Sequence, residues 1–213
     1  MNISTKILIS YFHILLLFCQ YLKQYTILGN KLKDICHLHF GFYDKPKSKG
    51  DAIYLQARNF NELGLLGHVG DALVTINDKS KSHLLNDGDI LFVGKGFRNF
   101  AWKYSSKIGN AIASSIFFVI KPNQNKVDSD YLVTIFNSVK YQSYFQSLGS
   151  GSSIPSIRKN ELESIEVPLP ALDVQRKIAA LSELHIKNLA VTEKIIENKN
   201  KLFQAVIHDI LKR

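Results

Sequence analysis

The chain has 213 residues, of which 46% are hydrophobic and 21% charged, a globular composition that excludes disordered and fibrous classes. Two Cys exclude a disulfide scaffold. Lys and Arg number 27 against 18 Asp and Glu, and the formal net charge of +9 favours an anionic partner, either nucleic acid or an anionic surface.

Residues 1–28 form an apolar extension. Between Lys6 and Lys23 lie uncharged residues, mostly Ile, Leu and Phe, interrupted by Ser10, His13 and Gln20. A spanning helix needs about 20 apolar residues, so a core-packed helix or an upstream extension is expected here and a membrane partner is not; the alternative is a short signal segment flanked by Lys6, or membrane attachment through residues 7–22. From residue 29 short β-rich runs alternate with turn chemistry. Ala52-Ile53-Tyr54-Leu55 follows Gly50-Asp51, and Ala72-Leu73-Val74-Thr75-Ile76 follows Gly70-Asp71. Ile90-Leu91-Phe92-Val93 follows Asp87-Gly88-Asp89, and Ala111-Ile112-Ala113 and Ile116-Phe117-Phe118-Val119-Ile120 come next. Each reads as a strand. Over 128–148, Leu132, Ile135, Phe136, Val139, Tyr144 and Phe145 recur at helical intervals. A Gly/Ser loop at 149–153 precedes a short strand at 165–170, which Pro168 and Pro170 mark as an edge and then stop. Phe100, Trp102 and Tyr104 alternate and are expected in the core.

The stretch 172–212 contains no Gly or Pro and repeats apolar residues at Ile178, Leu181, Leu189, Ile196, Phe203, Val206 and Ile210. In the register 189, 192, 196, 199, 203, 206, 210 only Thr192 and Lys199 are not apolar. This predicts a long amphipathic helix that pairs with another as a coiled coil. The alternative is a helix broken near residues 185–188 and folded back on its own domain. The fold class is therefore α+β: a β-rich globular unit at 29–170 followed by a helical region at 171–213.

No catalytic constellation is evident, with neither a Walker A loop nor a Gly-x-Ser-x-Gly elbow. Cys36, His37 and His39 lack a fourth ligand at usable spacing, and consecutive strand residues face opposite ways, so no metal site is expected. No cofactor is expected.

Several stretches, in this order, resemble one half of a DNA-sequence-specificity subunit of type I restriction–modification systems. They are Leu32-Lys33-Asp34-Ile35-Cys36 with Gly41; Gly50-Asp51 leading into Tyr54-Leu55-Gln56-Ala57-Arg58-Asn59-Phe60; and Asn86-Asp87-Gly88-Asp89-Ile90-Leu91-Phe92-Val93. The most specific is Val167-Pro168-Leu169-Pro170-Ala171-Leu172-Asp173-Val174-Gln175-Arg176-Lys177-Ile178, which departs from the usual pattern at Val174, where the family commonly places Glu. The resemblance implies a target-recognition domain plus a helical conserved region, cytoplasmic and without catalysis of its own. It would hold methyltransferase subunits, and through them restriction subunits, on a bipartite double-stranded DNA site. One unit of each kind implies a homodimer or pairing with another half subunit. The alternative is an assembly module or silent cassette that acts through its helix without binding DNA.

Base readout needs Arg, Lys, Asn or Gln on exposed loops. Three loops qualify: Gln56, Arg58 and Asn59; Lys95, Phe97, Arg98 and Asn99; and Ser150, Ser152 and Ser153, with Arg158 and Lys159 just beyond.

Overall fold

A computed structural model describes residues 29–61, 64–67, 69–148 and 154–212. The apolar stretch 7–22 lies outside them. Among the described residues no helix is long and apolar enough to cross a membrane.

The order of elements is β1 (Gly29–Lys31), α1 (Leu32–Ile35), β2 (Cys36–Phe40), β3 (Ala52–Leu55), β4 (Leu73–Val74), α2 (Asp78–Lys81), β5 (Ile90–Val93), β6 (Ala101–Lys103), β7 (Ala111–Ala113), β8 (Phe117–Pro122), α3 (Ser129–Phe136), α4 (Val139–Leu148), α5 (Lys159–Glu163), β9 (Glu166–Pro168) and α6 (Leu172–Leu211). Short 3-10 turns at Ala57–Asn59 and Ser106–Ile108 follow β3 and precede β7. Four strands form an antiparallel sheet in the order β2-β8-β5-β6. A smaller sheet has the order β4-β3-β7, with β3 and β7 parallel. β1 and β9 pair as a separate antiparallel ribbon.

The two-residue period of a strand explains how these layers stack. Ile90 and Phe92 of β5 face one core, built with Leu132, Phe136 and Phe145 of the helices. Leu91 and Val93 face a second core, shared with Leu55, Ala111 and Ala113 of the small sheet. Phe118 and Ile120 of β8 divide from Phe117 and Val119 in the same way. A strand buried on both faces reads as a continuous apolar run, as β5 does. The outer face of the small sheet buries Tyr54, Val74 and Ile112 in a third core. The turn before β5 has its own logic: Gly88 has φ +87°, which favours glycine. Asp89 is buried, and its Oδ2 accepts from the Asn86 N–H (2.8 Å) and the Lys121 ammonium (2.7 Å).

The helix expected over 128–148 is two helices. Asn137 ends α3, and its side chain bonds both peptide groups of Ala101: Oδ1 accepts from the N–H (2.9 Å) and Nδ2 donates to the carbonyl (2.8 Å). β6 is a sheet edge, and this amide covers part of it. Phe100 and Tyr104 are buried and Trp102 packs against the same core. Cys36 points into the main core, where burial pushes its thiol up to about 12, so it stays protonated. His37 lies on the opposite face of β2 and is exposed.

α6 runs unbroken for 40 residues, a length of about 60 Å. Its root is held by Gln175, which is fully buried. The Gln175 Oε1 accepts from the Asp128 N–H (2.9 Å), and Nε2 donates to the carbonyls of Lys126 (3.1 Å) and Pro170 (2.8 Å). Val174 beside it is 2% exposed, so the apolar residue at this position suits its surroundings. Ile178 packs on the main core and Leu181 is half-buried. From residue 183 to 211 every position is exposed, a projecting arm of about 43 Å.

Candidate nucleic-acid interface

The first and second loops leave the ends of β3 and β5, and a contact between them brings them together. Arg98 donates from Nη2 to the Phe60 carbonyl (3.4 Å), just past the first loop, and its guanidinium lies 4.9 Å from the centre of the Phe100 ring. The Phe60 and Phe100 rings pack at a tilt of 49° with centroids 5.1 Å apart. The second loop is also tied to the chain leading to Arg158. Lys95 bridges Ser156, Gly96 N–H donates to the Pro155 carbonyl (2.8 Å), and Ile157 N–H donates to the Gly94 carbonyl (2.8 Å). Gly94 is required here, because a Cβ would lie 2.3 Å from the Phe118 ring. Segments near residues 58, 98 and 158 thus meet at one end of the globular unit, although far apart in sequence.

Within this cluster the side chains divide into two kinds. Arg58, Lys95 and Arg158 are exposed, and Phe97 is 80% exposed. A large apolar ring so exposed at a loop tip leaves most of its surface free to pack on something else. Arg98 is half-buried and spends one of its five donors on Phe60. Asn59 and Asn99 instead shape their loops. Asn59 Oδ1 accepts from the Gln56 N–H (2.7 Å), and the buried Asn99 donates from Nδ2 to the Val93 carbonyl (2.8 Å). Gln56 is half-buried, and its Oε1 finds no donor among the described residues. Lys159 pairs with Glu163 at 3.4 Å across one turn of α5. Ser150, Ser152 and Ser153 lie outside the described residues.

Sequence reasoning missed residues 155–157, which tie the chain leading to Arg158 to the second loop. The available signal was the Ile-Pro dipeptide, which favours extended backbone able to pair. It also missed β1 and the end-to-end ribbon with β9.

The arm of α6 presents two contrasting sides. Leu189, Ile196, Phe203, Val206 and Ile210 are exposed along one stripe, with Phe203 at 61%. The ion pairs Glu183–Lys187 (2.6 Å) and Glu197–Lys201 (2.5 Å) lie on the opposite side, by the 100° step of a helix. Among the described residues no group of three His, Cys, Asp or Glu is placed to hold a metal ion.

Residues 30–199 match the family described as the type I restriction modification DNA specificity domain. The putative type I restriction enzyme MjaX specificity subunit of Methanocaldococcus jannaschii is 35% identical over 82 residues, which are 38% of this chain and 17% of that protein. The MjaVIII specificity subunit of the same organism is 31% identical over 123 residues, 57% of this chain and 28% of that protein. The S subunit of a type I restriction–modification system from M. genitalium has a similar fold, with a TM-score of 0.56 at 15% identity, covering 83% of this chain and 44% of that one. The HsdS subunit from Thermoanaerobacter tengcongensis gives 0.51 at 16% identity, covering 78% and 39%. The match therefore spans less than half the length of each of these proteins.

Proposed function

The chain belongs to the type I restriction modification DNA specificity family, and from that premise we propose that it reads one part of a bipartite double-stranded DNA sequence without catalysing a reaction. The observation that carries this reading is the stitching of three distant segments into one basic loop cluster by Arg98 and by residues 155–157. Sequence readout needs a few donors held at fixed positions, and preorganised loops supply them. In this reading Arg58, Arg98, Lys95 and Arg158 offer donors to bases and phosphates, and Phe97 packs on a sugar or base. Gln56 and Lys159 add to this set, and the serines at 150, 152 and 153 are assigned to DNA contact on sequence alone. Asn59 and Asn99 hold the loops in shape.

α6 is the second working part. Its stripe pairs with another helix of the same kind, from a second copy of the chain or from another specificity subunit. The pair serves as a spacer between two readers and as the seat of methyltransferase subunits, which in turn hold restriction subunits. The boundaries that fit these roles are 29–170 for the reader and 171–213 for the spacer.

Arg98→Ala is expected to weaken binding to the cognate duplex by about 1–3 kcal/mol and relax one base position, if its guanidinium reads a guanine edge. Binding measured against a panel of single-base variants checks this; a variant that binds every duplex as the wild type does removes Arg98 from the interface. Methylome sequencing of cells with and without the gene tests the whole reading. Loss of one bipartite methylated motif is the expected result, and an unchanged methylome refutes it.

A further inference from the structure

The small sheet has a second basic end. The reading loops cluster beyond the C-terminal end of β3. At its N-terminal end and outer edge the topology gathers six other lysines. Lys47 is fixed beside β4 by a pair of backbone bonds with Leu73, its N–H to the Leu73 carbonyl at 2.8 Å and the return bond at 2.9 Å. Lys45 and Lys49 flank it, and Gly50 crosses so close to Val74 that a Cβ would sit 2.6 Å from the backbone oxygen. α2 carries Lys79 and Lys81 and is seated at the same end: Asn77 caps it, and Ser80 Oγ donates to the Thr75 carbonyl at 3.1 Å. The turn bearing Lys107 runs into Asn110, whose carbonyl accepts from Ile53 N–H at 2.8 Å, beside the start of β3.

Lys45, Lys47, Lys49, Lys79 and Lys81 are exposed, as is Lys107, and none of the six forms an ion pair among the described residues. Two acids beside them, Asp51 and Asp44, are engaged with backbone. Asp51 Oδ2 accepts from Ile76 N–H (3.1 Å), and Asp44 Oδ1 accepts from Lys45 N–H (2.7 Å). Lys47 is level with Leu73 and Ile53, three residues along the strand from Gln56 at the start of the first loop, about 10 Å. The major groove of B-DNA is about 12 Å wide.

We infer that this lysine end of the small sheet is a phosphate clamp, gripping the backbone that borders the groove read by the loops. The inference rests on the DNA-reading function proposed above and adds to it a site that fixes affinity without sequence preference. Lysine suits that role, as a compact charge on a flexible stem with no planar fork to match a base edge.

The test is DNA binding by the full chain, or the complex in which it is isolated, across a salt series. Substituting Lys45, Lys47 and Lys49 together by Gln should weaken cognate and unrelated duplexes alike. The slope of log affinity against log salt should fall by about 0.9 for each phosphate no longer neutralised, hence by about two to three for the triple variant. Lys79→Gln with Lys81→Gln should act in the same direction. Lys140→Gln with Lys194→Gln removes charge elsewhere and should leave the slope near that of the wild type. If the triple variant keeps the wild-type slope, or changes it no more than the control, the clamp is refuted while DNA reading stands. A changed base preference also refutes it, by placing these lysines among the readers. If the wild-type protein shows no sequence-selective binding, the proposed function falls and the clamp with it.

Discussion

Gln175→Leu is expected to produce the largest loss of stability among single substitutions at the root of the arm. The side chain is fully buried and satisfies three backbone groups from two segments, the N–H of Asp128 and the carbonyls of Lys126 and Pro170. Leucine fills similar space but leaves all three without a partner. An orphaned buried group costs about 1–3 kcal/mol, so about 3 kcal/mol is a modest expectation for the set. In a chain of this size each kcal/mol lowers Tm by about 2–4 °C, and a drop of about 6–12 °C should appear in a thermal melt. Gln175→Glu is a sharper comparison. It keeps the acceptor for Asp128 N–H but sets a carboxylate against two carbonyls, so it should be no better than leucine at neutral pH. A melt within about 2 °C of the wild type for both variants would show that the amide is not what holds the helix.

Ile196→Asp combined with Phe203→Asp is expected to abolish helix pairing and leave the globular unit folded. Both residues are exposed on the stripe and far from the three cores. Burying a side chain of this size contributes about 1.5–3 kcal/mol, and each pairing helix would contribute both. Two carboxylates in the seam add desolvation and mutual repulsion. Sedimentation equilibrium should therefore show a mass at least halved relative to the wild-type assembly, with far-UV circular dichroism of the β-rich unit retained. Equal masses for the two proteins would remove this stripe as the pairing surface.

Much of this architecture is legible in the chain because local chemistry and burial agree there. β5 is bounded by Asp87-Gly88-Asp89 and Gly94-Lys95-Gly96 and is apolar at every position, so its limits and its central place follow from sequence. The absence of Gly and Pro over 172–212 likewise gives α6 almost to the residue. What was not legible depends on partners distant in sequence. The break at Asn137 exists because its amide meets the peptide groups of Ala101, and helical periodicity alone runs straight through it. The strand expected over 72–76 is only Leu73–Val74, because Ile76 N–H goes to the Asp51 carboxylate and Asn77 begins a cap. Polar character picked out the candidate loops, but it could not separate Asn99, turned inward to Val93, from Arg58, which faces water.

The projecting arm is also a lever. It leaves the globular unit at one clamped root and runs about 43 Å beyond it. A rotation of about 5° at that root would carry the far end sideways by about 4 Å, close to the roughly 3.4 Å separating successive base pairs along one strand of a duplex. A few degrees of play there would blur by one step any distance that the arm sets. The three hydrogen bonds of one buried amide would then act as the graduation on a ruler, setting how finely the separation between paired units is defined.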